Sequence, residues 1–160
     1  MKDVVEAVWV LKEGNCVWMS VEECEFSYRS SIFKKHPDWV ILAVRFHLTP
    51  KDPLEIKELM DSRRERRMAS QPLDKPSAGS VFKNPEEMPA WKYIEESGLR
   101  GKSINGAKVS EKHANFIVNE KEAKAQDIYD LIELIQKSVY EKFNVFLKAE
   151  VECFNWKRRS

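Results

Sequence analysis

Residues 123–143, AKAQDIYDLIELIQKSVYEKF, carry the most regular pattern in this chain of 160 residues. Apolar side chains recur there at spacings of three and four, which places them along one face of an α-helix. We therefore predict a long helix whose apolar face packs against the core of the domain. That face consists of Ile128, Leu131, Ile132, Ile135, Val139 and Phe143.

A strand is predicted on each side of this helix. Residues 114–119, ANFIVN, form a short apolar run before it. Residues 145–152 follow it and alternate between apolar and polar side chains, as a strand with one buried face does. In this second strand Glu150 lies on the mostly polar face.

The first third of the chain predicts a β-hairpin and a further strand. Residues 4–11 and 16–19 are rich in β-branched and aromatic side chains, and Gly14 with Asn15 forms the predicted turn between them. Residues 39–48 are almost continuously apolar. We therefore expect the start of this strand to be buried on both faces.

Capping residues mark a short helical turn and a helix start. Ser20 and Glu23 have the spacing of a capping box, which predicts a short helical turn over residues 20–24. Asp52 precedes a proline and, three positions on, a glutamate, so a helix is predicted over about residues 53–69. The second half of this helix contains Arg63, Arg64, Arg66 and Arg67. These arginines form either a solvated helix face or a patch that faces a phosphate.

The remaining segments complete an α+β fold. Residues 88–97 predict a short helix that Gly98 ends, and residues 102–110 read as a glycine-punctuated loop. Strands and helices do not alternate strictly along the chain. The order favours a mostly antiparallel sheet with flanking helices over a doubly wound fold.

Composition excludes several classes of function. Lysine and arginine (27) nearly balance aspartate and glutamate (26), so no nucleic-acid or membrane-surface partner is expected. The three cysteines lack metal-ligand spacing and predict reduced thiols without a metal site. No long apolar run or signal peptide is present, which predicts a cytoplasmic protein. The five glycines form no phosphate-binding motif for a dinucleotide.

Residues 76–85, PSAGSVFKNP, have the composition of a binding loop. Their small side chains would let a ligand approach the backbone N–H groups, and two serine hydroxyls could face it. The alternative is an ordinary surface connection bounded by proline and glycine. The residues of this segment alone do not decide between the two.

Four stretches of the chain, taken in order, resemble one family. They are FSYRSSIFK at residues 26–34, the arginine pair at 66–67 before QPL, PSAGSVFKNP at 76–85, and GAKVSEKHANFIVN at 106–119. Their order and spacing are similar to those of UDP-N-acetylenolpyruvoylglucosamine reductases. The short connection between residues 48 and 76 resembles the second type of this family, which lacks a tyrosine-bearing insertion.

This resemblance implies a reduction in two steps during the synthesis of peptidoglycan precursors. NADPH would reduce bound FAD, and the flavin N5 would then transfer a hydride to the vinyl carbon of UDP-N-acetylglucosamine enolpyruvate. The enolate that results would need a proton and stabilisation of its charge before it becomes UDP-N-acetylmuramate.

The resemblance also implies the residues that would do this. Ser80 matches the position of the proton donor, Arg29 that of the catalytic arginine, and Glu150 that of the catalytic glutamate. Without the family, Arg29 would be read as a partly buried salt-bridge residue, Glu150 as a solvated strand residue, and Ser80 as a turn serine.

Five further residues are candidates for ligand contacts. Arg67 falls at a position that resembles a contact to the diphosphate of the substrate, and Asn84 at one near Ser80. Tyr28 is a candidate at the junction of flavin and substrate. Lys112 and His113 are additional candidates within the last of the four stretches.

The resemblance begins partway through the family's sequence. We expect residues 1–47 to be the C-terminal strands of an FAD-binding domain and residues 48–160 to be the substrate-binding domain. The rest of the FAD-binding part, a possible partner, is not in this sequence. The alternative function is a UDP-sugar-binding module without flavin or catalysis. The chain ends in a basic tail, residues 155–160, which we expect to be frayed.

Overall fold

The computed structural model describes residues 2–154, so the predicted basic tail lies outside the described residues. The chain forms two compact units, Met1–Ile56 and Lys57–Ser160. Both units are built on antiparallel sheets, and three α-helices accompany them. The predicted α+β class is therefore confirmed.

The first unit contains a three-stranded antiparallel sheet in the order β2-β1-β3. The strands are β1 (Val5–Lys12), β2 (Asn15–Ser20) and β3 (Val40–Phe46). The hairpin of β1 and β2 is as predicted, but its turn is Glu13-Gly14, one residue earlier than expected. Both turn residues have positive φ, 50° and 78°, as the tightest hairpin turn requires.

The core of this unit lies against one face of its sheet. Val8, Val10 and Met19 from the strands are buried together with Cys24. The unit also contains two short 3-10 helices, Lys2–Val4 and Ile32–Lys34. The predicted pairing of Ser20 and Glu23 is present: the Ser20 N–H donates to Glu23 Oε2 (2.7 Å), and the Glu23 N–H donates to Ser20 Oγ (3.3 Å).

Strand β3 is exposed rather than buried. The predicted burial on both faces is wrong, because Val40, Ile41 and Leu42 at its start are 51%, 48% and 46% exposed. The physical reason is its position at the edge of the sheet, where β1 is its hydrogen-bonded neighbour within the described residues. Burial of both faces requires a packed layer on each side, as the apolar sequence anticipates. Among residues 2–154 this strand stays exposed instead.

Helix α1 (Pro53–Ser70) confirms the predicted helix to within one residue. Asp52 caps it, since its Oδ1 accepts hydrogen bonds from the N–H groups of Leu54 (2.7 Å) and Glu55 (3.4 Å). All of its residues, including the four arginines, are exposed.

The second unit contains a four-stranded antiparallel sheet in the order β4-β7-β6-β5. Helix α3 packs the predicted apolar stripe into its core, where Leu131, Ile135 and Val139 are fully buried. The new elements are β4 (Ser77–Ser80), α2 (Ala90–Glu96), β5 (Ser103–Ile104), β6 (Ala107–Val109), β7 (Phe116–Asn119) and α3 (Ala125–Phe143).

Two segments of this unit differ from the prediction. Residues 102–110 are not a plain loop, because β5 and β6 form a hairpin around Asn105 and Gly106. Residues 145–148 alternate in burial as predicted, with Leu147 fully buried, but the alternation ends at Ala149, which is exposed, and Glu150, which is half-buried. The segment forms a single bridge rather than a regular strand. The segment runs beside residues 81–83 for only this short distance.

Candidate active site

Ser80 is the last residue of β4, so the predicted binding loop begins as a strand. It lies opposite Phe116 of β7, whereas Ser77 lies opposite Val118. Between these pairs, Ala78 and Gly79 lie opposite the single residue Ile117, and the extra residue is accommodated at Gly79, whose φ is +85°. This bulge bends the chain directly before Ser80, which is half-buried rather than placed on an open turn.

Glu150 is brought next to the same segment by backbone pairing. Its N–H donates to the carbonyl oxygen of Val81 (2.8 Å), the residue after Ser80. Two residues on, the Lys83 N–H donates to the carbonyl oxygen of Lys148 (2.9 Å). The structure thus brings together two predicted catalytic positions that lie far apart in the chain. Glu150 is half-buried, not fully solvated.

A buried asparagine holds the opposite side of this segment. Asn115 is 4% exposed, and its side chain bonds both backbone groups of Phe82. Its Oδ1 accepts from the Phe82 N–H (2.9 Å), and its Nδ2 donates to the Phe82 carbonyl oxygen (2.8 Å). Asn115 lies within the last of the four stretches that resemble the family, but no role of its own was predicted for it.

Residues 110–116 form a tight turn that presents this asparagine. The buried Ser110 Oγ accepts hydrogen bonds from the N–H groups of Lys112 (3.1 Å) and His113 (3.3 Å). His113 Nδ1 accepts from the Asn115 N–H (3.3 Å). Burial lowers the pKa of His113, with a smaller contribution from the charge of Arg100, and this favours the neutral ring that such an acceptor requires.

Asn84 lies just beyond the paired segment and connects it to α2. Its Oδ1 accepts a hydrogen bond from the N–H of Ala90 (3.0 Å), the first residue of that helix. The observed contact is therefore structural, and it fixes the chain that continues from Ser80. Its predicted role as a substrate contact stays a prediction.

Arg67 is exposed in the last turn of α1. The next residue, Met68, lines a cleft of about 470 Å³ together with three lysines. Each lysine has a partner: Lys75 pairs with Glu120, Lys108 pairs with Glu111 (2.6 Å), and Lys112 donates to the Met68 carbonyl oxygen. The cleft thus has its positive charges largely neutralised.

Tyr28 and Arg29 lie in the first unit, at the tip of a tight turn. Ser27 and Ser30 flank them and exchange two backbone hydrogen bonds (3.0 and 3.2 Å). Arg29 has φ +55°, and its guanidinium carbon lies 5.7 Å from the centre of the Tyr28 ring. Both side chains are exposed, so Arg29 is not the partly buried residue of the structural interpretation.

The glycines of this chain do not fit the pyrophosphate of FAD. None of the five lies in a connection that leads from a strand into a helix N-terminus, the arrangement that binds a dinucleotide phosphate. Gly14 and Gly106 lie in hairpin turns, Gly79 forms the bulge in β4, Gly98 ends α2, and Gly101 precedes β5.

Two further properties concern residues 2–154 alone. No helix in this range is long and apolar enough to cross a membrane. The same range contains no group of three or more histidine, cysteine, aspartate or glutamate side chains placed to hold a metal ion. Cys16, Cys24 and Cys153 are free thiols, as predicted.

Comparison with known proteins gives a consistent family. A family model described as the C-terminal domain of UDP-N-acetylenolpyruvoylglucosamine reductase matches residues 71–154. The reductase of that name from Carboxydothermus hydrogenoformans is 50% identical over 153 residues, which are 95% of this chain and 50% of the relative. One from Bacillus licheniformis is 41% identical over 97% of this chain and 84% of its own length.

A solved structure is also similar to this chain. The UDP-N-acetylenolpyruvylglucosamine reductase from Thermus caldophilus is 34% identical and superposes with a TM-score of 0.80, covering 94% of this chain and 53% of the other. The chain spans about half the length of most of the relatives reported above.

Proposed function

Because this chain belongs to the UDP-N-acetylenolpyruvoylglucosamine reductase family, we propose that it supplies the substrate-binding domain and the catalytic side chains of such a reductase. The substrate would be UDP-N-acetylglucosamine enolpyruvate and the product UDP-N-acetylmuramate, a precursor of peptidoglycan. Such nucleotide-linked precursors are made in the cytoplasm, where we place the protein.

One observation carries this proposal. The Glu150 N–H donates to the carbonyl oxygen of Val81 (2.8 Å), and Val81 directly follows Ser80. The two residues that resemble catalytic positions of the family thus lie on two segments of the chain that are hydrogen-bonded to each other. The bulge at Gly79 further fixes the backbone direction at Ser80.

Ser80 is proposed to donate the proton in the second half of the reaction. A serine hydroxyl is a weak acid in water, but the enolate carbon is a strong base and the backbone around Ser80 is ordered on both sides. Glu150 is the proposed acidic partner in this step. Arg29 would bind the carboxylate of the enolpyruvyl group, because its planar guanidinium can form two parallel hydrogen bonds with a carboxylate.

Three residues are proposed to bind the substrate. Arg67 would contact the diphosphate from its exposed position on α1. Asn84 would act near Ser80, from the segment that its bond to Ala90 fixes. Tyr28 would lie at the junction of flavin and substrate, and its exposure at the tip of a turn is compatible with that role.

FAD and NADPH are proposed as cofactors of the complete enzyme. FAD would supply the hydride when bound, but the glycines of this chain offer no cradle for its pyrophosphate. We therefore place the flavin site mainly on sequence that the longer relatives have in addition to the matched half. Residues 1–47 would be the last strands of that flavin-binding domain, and residues 48–160 the substrate-binding domain. The exposed apolar strand β3 supports this division.

A UDP-sugar-binding module without flavin is the second candidate function, and an absorbance spectrum distinguishes the two. We expect the chain, mixed with the flavin-binding half of a close relative, to give a yellow complex that oxidises NADPH when the enolpyruvyl substrate is added. Binding of a UDP-sugar by a mixture that stays colourless would favour the module. A flavin-loaded complex that leaves the substrate unreduced would contradict the proposed reaction.

A further inference from the structure

The backbone pairing of β4 with the segment of β7 ends one residue after Ser80. The Val81 N–H still donates to the backbone carbonyl oxygen of Asn115 (2.8 Å), which continues the ladder beyond the Ser80 and Phe116 pair. The following residue, Phe82, would need the backbone of residue 114. That backbone has already entered the tight turn in which the Phe116 N–H donates to the carbonyl oxygen of His113 (3.0 Å).

The Asn115 side chain takes the place of the missing backbone. Its amide presents one acceptor and one donor to Phe82 at 2.9 and 2.8 Å, just as a neighbouring strand residue would. The amide is buried, so an unsatisfied donor or acceptor at this place would be costly. Val81 and Phe82 are consequently held from one side by Asn115 and from the other by residues 148–150.

We infer that Asn115 is a positioning residue for the reaction proposed above: its side-chain amide fixes the backbone that carries Ser80 and, through Val81, the backbone of Glu150. This inference rests on the proposed function for its catalytic meaning. Its structural part, that the amide holds this segment in place, stands on the bonds alone.

The chemistry of the site demands an amide of this length. A neutral donor and a neutral acceptor must lie side by side on two atoms, whereas a hydroxyl carries both on a single oxygen and cannot reach both backbone groups. An ionised carboxylate has the shape of the amide but only accepts, so one of its oxygens would face the Phe82 carbonyl oxygen. A protonated carboxyl group again has one donor and one acceptor.

Asn115→Asp is therefore the test, measured by amide hydrogen exchange in the 160-residue chain over a range of pH. At neutral pH the carboxylate still offers the Phe82 N–H an acceptor, but its other oxygen repels the Phe82 carbonyl oxygen, which loses its buried donor. Because this repulsion separates the segment from residue 115, we expect protection of the Phe82 N–H to fall by about ten- to a hundredfold. The Glu150 N–H should lose protection as well. The Val109 N–H, which donates to Lys102 across the sheet (2.8 Å), should keep its protection.

Acidification provides the readout that a general loss of stability would not give. As the introduced carboxyl group becomes protonated, the variant should regain the protection of Phe82 and Glu150 relative to the unsubstituted chain at the same pH. Asn119→Asp is the matched control: Asn119 is the last residue of β7, the strand that directly follows Asn115, and its Oδ1 accepts a hydrogen bond from the Ala123 N–H (2.9 Å). A carboxylate keeps this acceptor, so this variant should show no such pH dependence at Phe82.

Two results would overturn the inference. One is protection at Phe82 and Glu150 that is unchanged by Asn115→Asp. The other is an equal loss of protection at all amides, Val109 included, that low pH does not restore. If the variant fails to fold at neutral pH, its refolding on acidification supports the inference. A variant that stays unfolded at low pH contradicts it.

The reductase assay then separates this inference from the proposed function. In the complex with the flavin-binding half, Asn115→Asp should lower kcat with little change in KM, and NADPH should still reduce the flavin at the normal rate. A complex of the unsubstituted chain that has no reductase activity would contradict the proposed function, while the exchange data would still decide whether Asn115 fixes the Ser80 segment.

Discussion

Asn105 Nδ2 donates a hydrogen bond to Asp127 Oδ1 at 2.8 Å, which connects the turn of the β5–β6 hairpin to the first turn of α3. The second carboxylate oxygen of Asp127 accepts from the N–H of Lys124 (2.8 Å), at the start of the helix. Both oxygens are thus engaged, although the side chain is buried. These bonds, that of Asn105 first, hold the pKa of Asp127 below its ordinary value of 3.8.

The first prediction concerns acid stability. Because the pKa of Asp127 is lower in the folded state, its ionised form stabilises the fold above pH 3.8, and this contribution is lost as the pH falls through the folded pKa. We expect Asp127→Asn to lower the urea midpoint at neutral pH and to reduce the loss of stability on acidification below pH 3.8. An Asp127→Asn variant that loses as much stability below pH 3.8 as the unsubstituted chain would contradict the assignment.

The second prediction concerns Gly106, in the same hairpin turn. A Cβ atom there would lie 2.1 Å from the carbonyl oxygen of Lys121 and 2.6 Å from the nitrogen of Ala123. Both are backbone atoms, and the Lys121 N–H also donates to the Gly106 carbonyl oxygen (3.2 Å), so they cannot easily move away. We expect Gly106→Ala to lower the free energy of unfolding by about 3 kcal/mol.

Gly98→Ala is the matched control for this variant. Gly98 has φ +73° but open space around its Cα, so the substitution should cost only the strain of a left-handed alanine, about 1 kcal/mol. Urea unfolding followed by far-UV circular dichroism compares the two. Equal costs would show that the close approach at Gly106 is relieved by a backbone shift.

Local patterns predicted the elements that depend on local physics. The stripe of α3 and the cap at Asp52 were found because each is set by residues a few positions apart. The β5–β6 hairpin was missed although Asn105-Gly106 is a strong signal for a two-residue turn. Its strands contain only two and three residues, too few for an alternating pattern to be visible.

Properties that depend on distant parts of the fold were less accessible. The alternation of residues 145–152 predicted the burial of Leu147. It could not show that Ala149, two residues later, forms a single β-bridge with Phe82. Likewise, the apolar run of β3 indicates a strand suited to apolar contacts on both faces. Its exposure follows from its position at the edge of the sheet, which the run itself does not reveal. Asn115 had no visible role because its partner, Phe82, lies on another segment.

The third prediction concerns backbone strain at Arg29. Its φ of +55° is unfavourable for any residue with a Cβ atom, and strain of this kind is typical of functional positions. Arg29→Ala and Arg29→Gly remove the same guanidinium group, but only glycine tolerates this φ without strain. We expect the glycine variant to be more stable than the alanine variant by about 1 kcal/mol in urea unfolding. An alanine variant of equal or greater stability would show that the turn is unstrained.

The fourth prediction concerns Arg67 in the complete enzyme. A side chain that contacts the diphosphate binds substrate and transition state alike, so Arg67→Ala should chiefly raise KM for the enolpyruvyl substrate and leave kcat nearly unchanged. Arg63→Ala, one helical turn earlier and also exposed, is the control and should alter neither constant. A loss of kcat with KM intact would contradict a role in binding the diphosphate.

The last prediction concerns Ser80 as the proton donor, again in the complete enzyme. Ser80→Ala removes the hydroxyl but leaves the β4 backbone, whose pairing with Phe116 does not use that side chain. NADPH should therefore still reduce the flavin, while turnover of the enolpyruvyl substrate should be abolished, because the enolate lacks its acid. Stopped-flow measurement of flavin reduction and reoxidation separates the two steps. Ser77→Ala, three residues earlier on the same strand, should leave both steps intact, and normal turnover by Ser80→Ala would exclude this serine as the proton donor.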